Sequence, residues 1–156
     1  MDDKKIGLLQ RAVVNFMICH DLLTPQIDKQ LRPLGLNLTQ MSLLNHFSHA
    51  PQQRHTISQL VKVMGINQPG ITKAVNALEK LACLQKQNDK DDARIKWLQI
   101  TPYGLEKLNE ARQTTGPLVF SAFGSVADQD LQSFCDGLEQ MKVFLDRNRG
   151  EGRAYS

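Results

Sequence analysis

The sequence predicts a mainly α-helical protein with a small β-hairpin, and three observations carry that prediction. Apolar residues recur at helical spacing through most of the chain, the period switches toward alternation only around residues 84–100, and Gly, Pro, Asn and Thr punctuate the helical stretches. A length of 156 residues with 41% hydrophobic content suits one compact domain with a real core.

The first helix carries Ile6, Leu9, Val13, Phe16, Leu23 and Ile27, a seven-residue repeat interrupted by His20. Pro25, which lacks an amide hydrogen, predicts a kink near Asp21 to Thr24, and Pro33 with Gly35 ends the segment. Thr39 is the expected N-cap of a second helix with Met41, Leu44 and Phe47 on its apolar face, ended by Pro51. Thr56 and Gln59 have capping-box spacing and open a third helix through Ile57, Leu60, Val61 and Met64, which stops at Gly65. Asn67 caps the fourth, with Pro69 in its first turn and Ile71, Ala74, Val75, Leu78 and Ala82 on its apolar face.

After Leu84, QKQN and RIKWLQI flank the turn-like DKDDA, predicting a short hairpin with Leu98 and Ile100 inward. Thr101-Pro102 starts a fifth helix through Leu105 and Leu108 that should bend or break at Gly116-Pro117, and a last helix spans about Asp128 to Arg147. A frayed, disordered tail is expected over 149–156.

Charge narrows the function. The chain carries a net +3, but residues 54–98 hold eight Lys or Arg against four Asp or Glu, a local +4 that favours a polyanionic partner. No apolar run is expected to span a bilayer, and the charged start MDDKKIGLLQ does not resemble a secretory leader, so the expectation is a soluble, cytoplasmic protein without a membrane partner. Cys19, Cys83 and Cys135 lie far apart and form no CxxC pair, which suggests reduced thiols. Neither a phosphate-binding Gly loop nor GxSxG is present, so no catalytic residue, metal or cofactor is expected and the chain does not read as an enzyme.

Two short helices joined by a Gly-containing turn and followed by a basic hairpin make a winged helix-turn-helix, in which the second helix can enter a major groove. Its polar face presents Gln68, Thr72, Lys73, Asn76 and Lys80. Gln and Asn can pair with adenine, Thr can meet a thymine methyl or a phosphate, and Lys can meet guanine or phosphate. Asn67, Pro69 and Gly70 open the helix where amides favour a phosphate, and the small bulk of Pro69 and Gly70 would allow close approach to the duplex. A solvated helix face is the plainer reading, and the order helix, turn, helix, basic hairpin weighs against it.

In LRPLGLNLTQMSLL, TISQLVKVMGINQPGITKAVNALEK and DKDDARIKWLQITPYGLEKL the chain resembles the MarR family of winged-helix transcriptional regulators, over roughly residues 6–147. The resemblance implies one intertwined homodimer: residues 1–36 and 101–148 as a helical dimerisation region, and 37–100 as the DNA-binding domain, with its helix-turn-helix at about 56–80 and wing at about 84–100. It also implies a ligand-responsive repressor acting on a near-palindromic operator in double-stranded DNA. The alternative is a winged-helix dimer that works mainly through protein contacts and binds DNA weakly.

Two departures stand out. Wings of this family usually read Asp-x-Arg-Asp-x-Arg, and here Asp91 occupies the first arginine position. Lys90 is left to reach the minor groove, and Arg94 either contacts DNA or pairs with Asp92 or Asp89 to brace the wing. The glycine usual after the recognition helix is Ala82 here, so the helix exit should differ.

Family similarity further implies a site for a small aromatic or phenolic effector, with His20 as the candidate cleft residue, although a lone His on an apolar stripe is more often a core or interface residue. His46, His49 and His55 have spacing that a metal could use, but lack nearby acidic ligands and read as solvated. Cys19 reads as a buried, inert thiol and Trp97 as a packing residue that could also touch the DNA backbone.

Overall fold

The computed structural model describes residues 2–148, so the tail expected at 149–156 lies outside the described residues. Elements run in the order α1 (Asp3–Leu31), a 3-10 turn (Arg32–Leu34), α2 (Leu38–Ser48), α3 (Ile57–Met64), α4 (Gln68–Lys80), β1 (Leu84–Asn88), β2 (Lys96–Ile100), α5 (Pro102–Phe123) and α6 (Asp128–Arg147). Strands β1 and β2 form an antiparallel hairpin from Leu84↔Ile100 to Asn88↔Lys96, and His55 bridges to Leu98 on the other edge of β2.

Two compact units meet in the chain between Gly116 and Pro117. The first contains the buried core. Leu31 at the end of α1, Leu43, Leu44 and Phe47 of α2, Leu60 of α3, and Ile71, Val75 and Leu78 of α4 are fully buried there, with Leu98 of β2 beneath the hairpin. In the second, the rings of Phe123 and Phe134 lie 6.4 Å apart, while Phe120, Met141 and Leu145 remain exposed.

Helix α1 continues through Pro25 as one helix. Its end is tied to the next element by Asp28, whose carboxylate accepts the Leu38 amide at 2.6 Å. Most of its apolar residues, among them Leu9, Val13, Phe16 and Leu22, are exposed in the single chain. Contrary to the sequence expectation, α1 is long and apolar enough, by length and composition alone, to cross a membrane. It nevertheless carries Arg11, His20 and Asp21, and its last turn enters the core through Leu31.

Three local predictions need correction. The cap of α2 is Asn37 rather than Thr39: Asn37 accepts from the Gln40 amide and Gln40 accepts from the Asn37 amide, both at 2.9 Å, a reciprocal box that a threonine two residues later cannot make. Helix α5 does not break at Pro117 but runs unbroken to Phe123. Ala82 is not on the buried face of α4; it lies beyond the helix end, exposed, at φ +56°.

That last position explains how the chain leaves α4. The Cys83 amide donates to Leu78 and the Ala82 amide to Glu79, both at 2.9 Å, which is a Schellman ending with alanine in the left-handed place. The helix exit therefore keeps the geometry that glycine would allow, at a cost of about 1–2 kcal/mol for an L-residue with a Cβ. Thr101 holds the far side of this turn, its hydroxyl donating to the Ala82 carbonyl at 2.7 Å and accepting from the Gly104 amide at 2.9 Å. A Cβ on Gly104 would sit 2.2 Å from the Cys83 carbonyl oxygen, so only glycine fits where α5 crosses the exit of α4.

Candidate nucleic-acid interface

Helix α3 begins at the predicted box, with Thr56 and Gln59 exchanging hydrogen bonds of 2.8 and 3.3 Å, and ends at Gly65 in the left-handed conformation at φ +65°. One residue separates Gly65 from Asn67, whose side chain accepts the Gly70 amide at 2.9 Å and starts α4. Burial then fixes the rotation of α4. Ile71, Ala74, Val75 and Leu78 are at most 5% exposed, and each large side chain removed from water contributes about 2 kcal/mol.

The opposite face follows from that rotation. Gln68, Pro69, Thr72, Lys73, Asn76, Ala77 and Lys80 share one open outer face of the helix. Gln68, Lys73, Asn76 and Lys80 are exposed and Thr72 is half-buried, so the predicted reading residues are brought together on one face. Gly70 is placed differently: a Cβ there would meet Ile66 at 2.9 Å and Asn67 at 3.0 Å, so its missing side chain makes room for the cap. Asn67 is likewise engaged by that cap.

Lys86 of β1 pairs with Glu79 of α4 at 2.5 Å, and Lys96 bonds Asn88 across the hairpin. Lys90 is exposed at the wing tip beside exposed Asp91. Of the two roles open to Arg94, the observed one is bracing. Its guanidinium donates to both oxygens of Asp92 at 3.0 and 3.1 Å, and its amide donates to Asp92 at 2.9 Å. These bonds hold the Asp92 carboxyl below its ordinary pKa, the Arg94 side chain contributing most.

A residue that the sequence offered only as a possible partner of Arg94 organises the turn. Asp89 accepts the Asp91 and Asp92 amides at 3.0 and 3.1 Å and the Trp97 indole N–H at 2.7 Å. The indole bond is the main reason its carboxyl titrates below the usual range, followed by the two amides. Arg54, from the loop before α3, lies over the Trp97 ring at 5.5 Å from its centre. Spacing gives no clue to this set, because Asp89 and Trp97 meet across the hairpin and Arg54 comes from another loop.

Among the remaining candidates, His20 is exposed on α1 with its Nδ1 3.2 Å from Asp21. Cys19 is exposed in the single chain rather than buried, on the stretch of α1 where Phe16, Met17, Ile18 and Leu22 are exposed as well. The histidines also differ from expectation. His49 is exposed, but His46 and His55 are half-buried with ring centres 5.0 Å apart, and Phe47 packs edge-on to both. Burial lowers the pKa of each, and the neighbouring imidazole adds to the effect: His49 for His46, and His46 for His55. Among the described residues no group of three or more His, Cys, Asp or Glu could hold a metal.

The family model of the MarR family matches residues 34–95. The fold is similar to that of the transcriptional regulator BldR from Sulfolobus solfataricus, with a TM-score of 0.74 at 22% identity over 92% of this chain and 99% of that one. A MarR-family transcriptional regulator of Streptomyces coelicolor, Sco3205, solved in complex with DNA, matches at 0.74 and 22% over 93% of both chains. A mutant MarR from E. coli complexed with operator DNA matches at 0.70 and 17%, over 90% of this chain and 99% of that one.

Proposed function

We propose that this chain, whose residues 34–95 match the MarR family model, is a transcriptional regulator: a cytoplasmic, sequence-specific double-stranded DNA binder that acts as a homodimer. The observation that carries the reading is the outer face of α4, where Gln68, Thr72, Lys73, Asn76 and Lys80 stand together above a buried apolar face. Such a face can enter a major groove, Gln68 and Asn76 supplying paired donors and acceptors and Lys73 and Lys80 supplying charge. The two similar structures solved with DNA support the same use of the fold.

Homodimerisation is supported by the stripe of exposed apolar side chains on α1 and by the exposed Phe120, Phe134 and Phe144 of the second unit, an amount of apolar surface that a second copy would cover. In this reading residues 1–36 and 101–148 hold two winged helices at the spacing of successive major grooves. A small aromatic or phenolic effector, with His20 at its cleft, would shift that spacing and release DNA, and it is the resemblance to the family that favours a repressor.

The test is a salt series of gel shifts with duplexes selected by the protein from genomic fragments. The expected result is retention at low salt that weakens steeply as salt rises, with Lys73→Ala and Asn76→Ala each weakening binding while sedimentation still gives the dimer. Salt-insensitive retention, or none, would favour the reading as a protein-contact dimer instead. That reading draws its support from Asp91 at the wing tip, where it would repel phosphate.

A further inference from the structure

Building on the proposed DNA-binding function, we infer that Asp89 and Trp97 are positioning residues that set the wing for DNA from its root. Asp91 stands where an arginine would serve, and Arg94 is engaged by Asp92, which leaves Lys90 as the cation that the wing tip can extend. Lys90 lies inside the turn that Asp89 closes, between Asp89 itself and the Asp91 and Asp92 amides that bond its carboxylate.

The other oxygen of that carboxylate is held at 2.7 Å by the Trp97 indole N–H. Trp97 stands on β2, whose next residue, Leu98, is fully buried and bridged to His55 by backbone bonds of 2.8 and 2.9 Å. Arg54, one residue before His55, covers the Trp97 ring and places its positive charge near Asp89. A continuous path thus runs from the core through Leu98, Trp97 and Asp89 to the backbone around Lys90. The tip is exposed, and its place is dictated by these contacts rather than by burial.

Two variants separate the clamp from general packing. Trp97→Phe keeps a ring on the strand but removes the N–H. Asp89→Asn keeps the shape, but its amide can accept toward the backbone or toward the indole and not both. In the full-length protein each variant should speed amide hydrogen exchange at Asp91 and Asp92 by about tenfold or more while His55 and Leu98 stay protected. Affinity for a duplex that the wild-type protein selects from a random pool should fall roughly tenfold.

The decisive readout is coupling. Lys90→Ala should weaken binding in the wild type and add little in the Trp97→Phe background, because Lys90 is already misplaced there. Independent effects of the two substitutions, or faster exchange at the tip with unchanged affinity, would overturn the inference. Should Trp97→Phe fail to fold, Asp89→Asn carries the same cycle. A wild-type protein that selects no duplex overturns the functional reading, and this inference with it.

Discussion

Helix α4 and the tip of the wing supply the two parts of the proposed interface, and they are held by different forces. On α4 every exposed polar residue has its direction set by apolar side chains buried on the other face, a non-directional attraction that salt barely touches. At the wing tip the order is polar: one carboxylate gathers two amides and an indole, and another holds a guanidinium that is itself 91% exposed. Packing gives the helix a place that tolerates many surface sequences. Hydrogen bonds give the wing a place that depends on a few particular residues.

The largest effect that would break this contrast is on the helix side. Leu78→Ala removes a fully buried side chain beneath α4 and should lower global stability by about 3 kcal/mol in urea unfolding. A loss below about 1 kcal/mol would mean that α4 is not held by its core face. At the helix exit, Ala82→Gly should raise stability by about 1 kcal/mol by relieving the left-handed alanine, read as a higher thermal midpoint. No gain would mean that Ala82 does not hold that conformation in solution.

A pH titration tests the wing root, where His55 bridges to Leu98. His46 and His55 are depressed below their ordinary value of 6.5 in the folded state, so the unfolded chain binds more protons. Their contribution is fully present above the unfolded pKa and is lost as pH falls through the depressed folded values. The groups facing them are His49, the exposed member of the set, and the uncharged Phe47 ring; no carboxylate contributes to either shift. The urea midpoint should therefore drop as pH falls below the ordinary histidine value of 6.5, and His46→Gln with His55→Gln should flatten that drop.

The smallest expected change is at the tip. Arg94→Ala should leave the urea midpoint within error, because an exposed pair stabilises little, while it loosens amide exchange at the wing. A large fall in global stability would erase the distinction between the two regions.

Much of the helix pair is legible in the sequence because its signals are local. Thr56 with Gln59, Gly65, and Asn67 with Pro69 each satisfy or release backbone groups within four residues, and the spacing of Ile71, Val75 and Leu78 implies which side chains face outward. Asn37 was equally legible through Gln40 three residues on, a stronger sign than the isolated Thr39. The wing clamp was not, because Asp89, Trp97 and Arg54 meet only after the hairpin has paired and packed on the loop before α3. For the same reason His46 and His55 read as solvated residues although their rings lie 5.0 Å apart.

The sequence by itself determined the element order, the caps of α3 and α4, the turn between them and the outward face of α4, since each depends on backbone chemistry or periodicity that neighbouring residues settle among themselves. Only the tertiary structure decided that Ala82 keeps a conformation suited to glycine, that Arg94 turns to Asp92, and that Trp97 holds Asp89. Each of those outcomes is a choice among partners that the residues alone leave open, and the choice is made by which groups the packed core brings within hydrogen-bond reach.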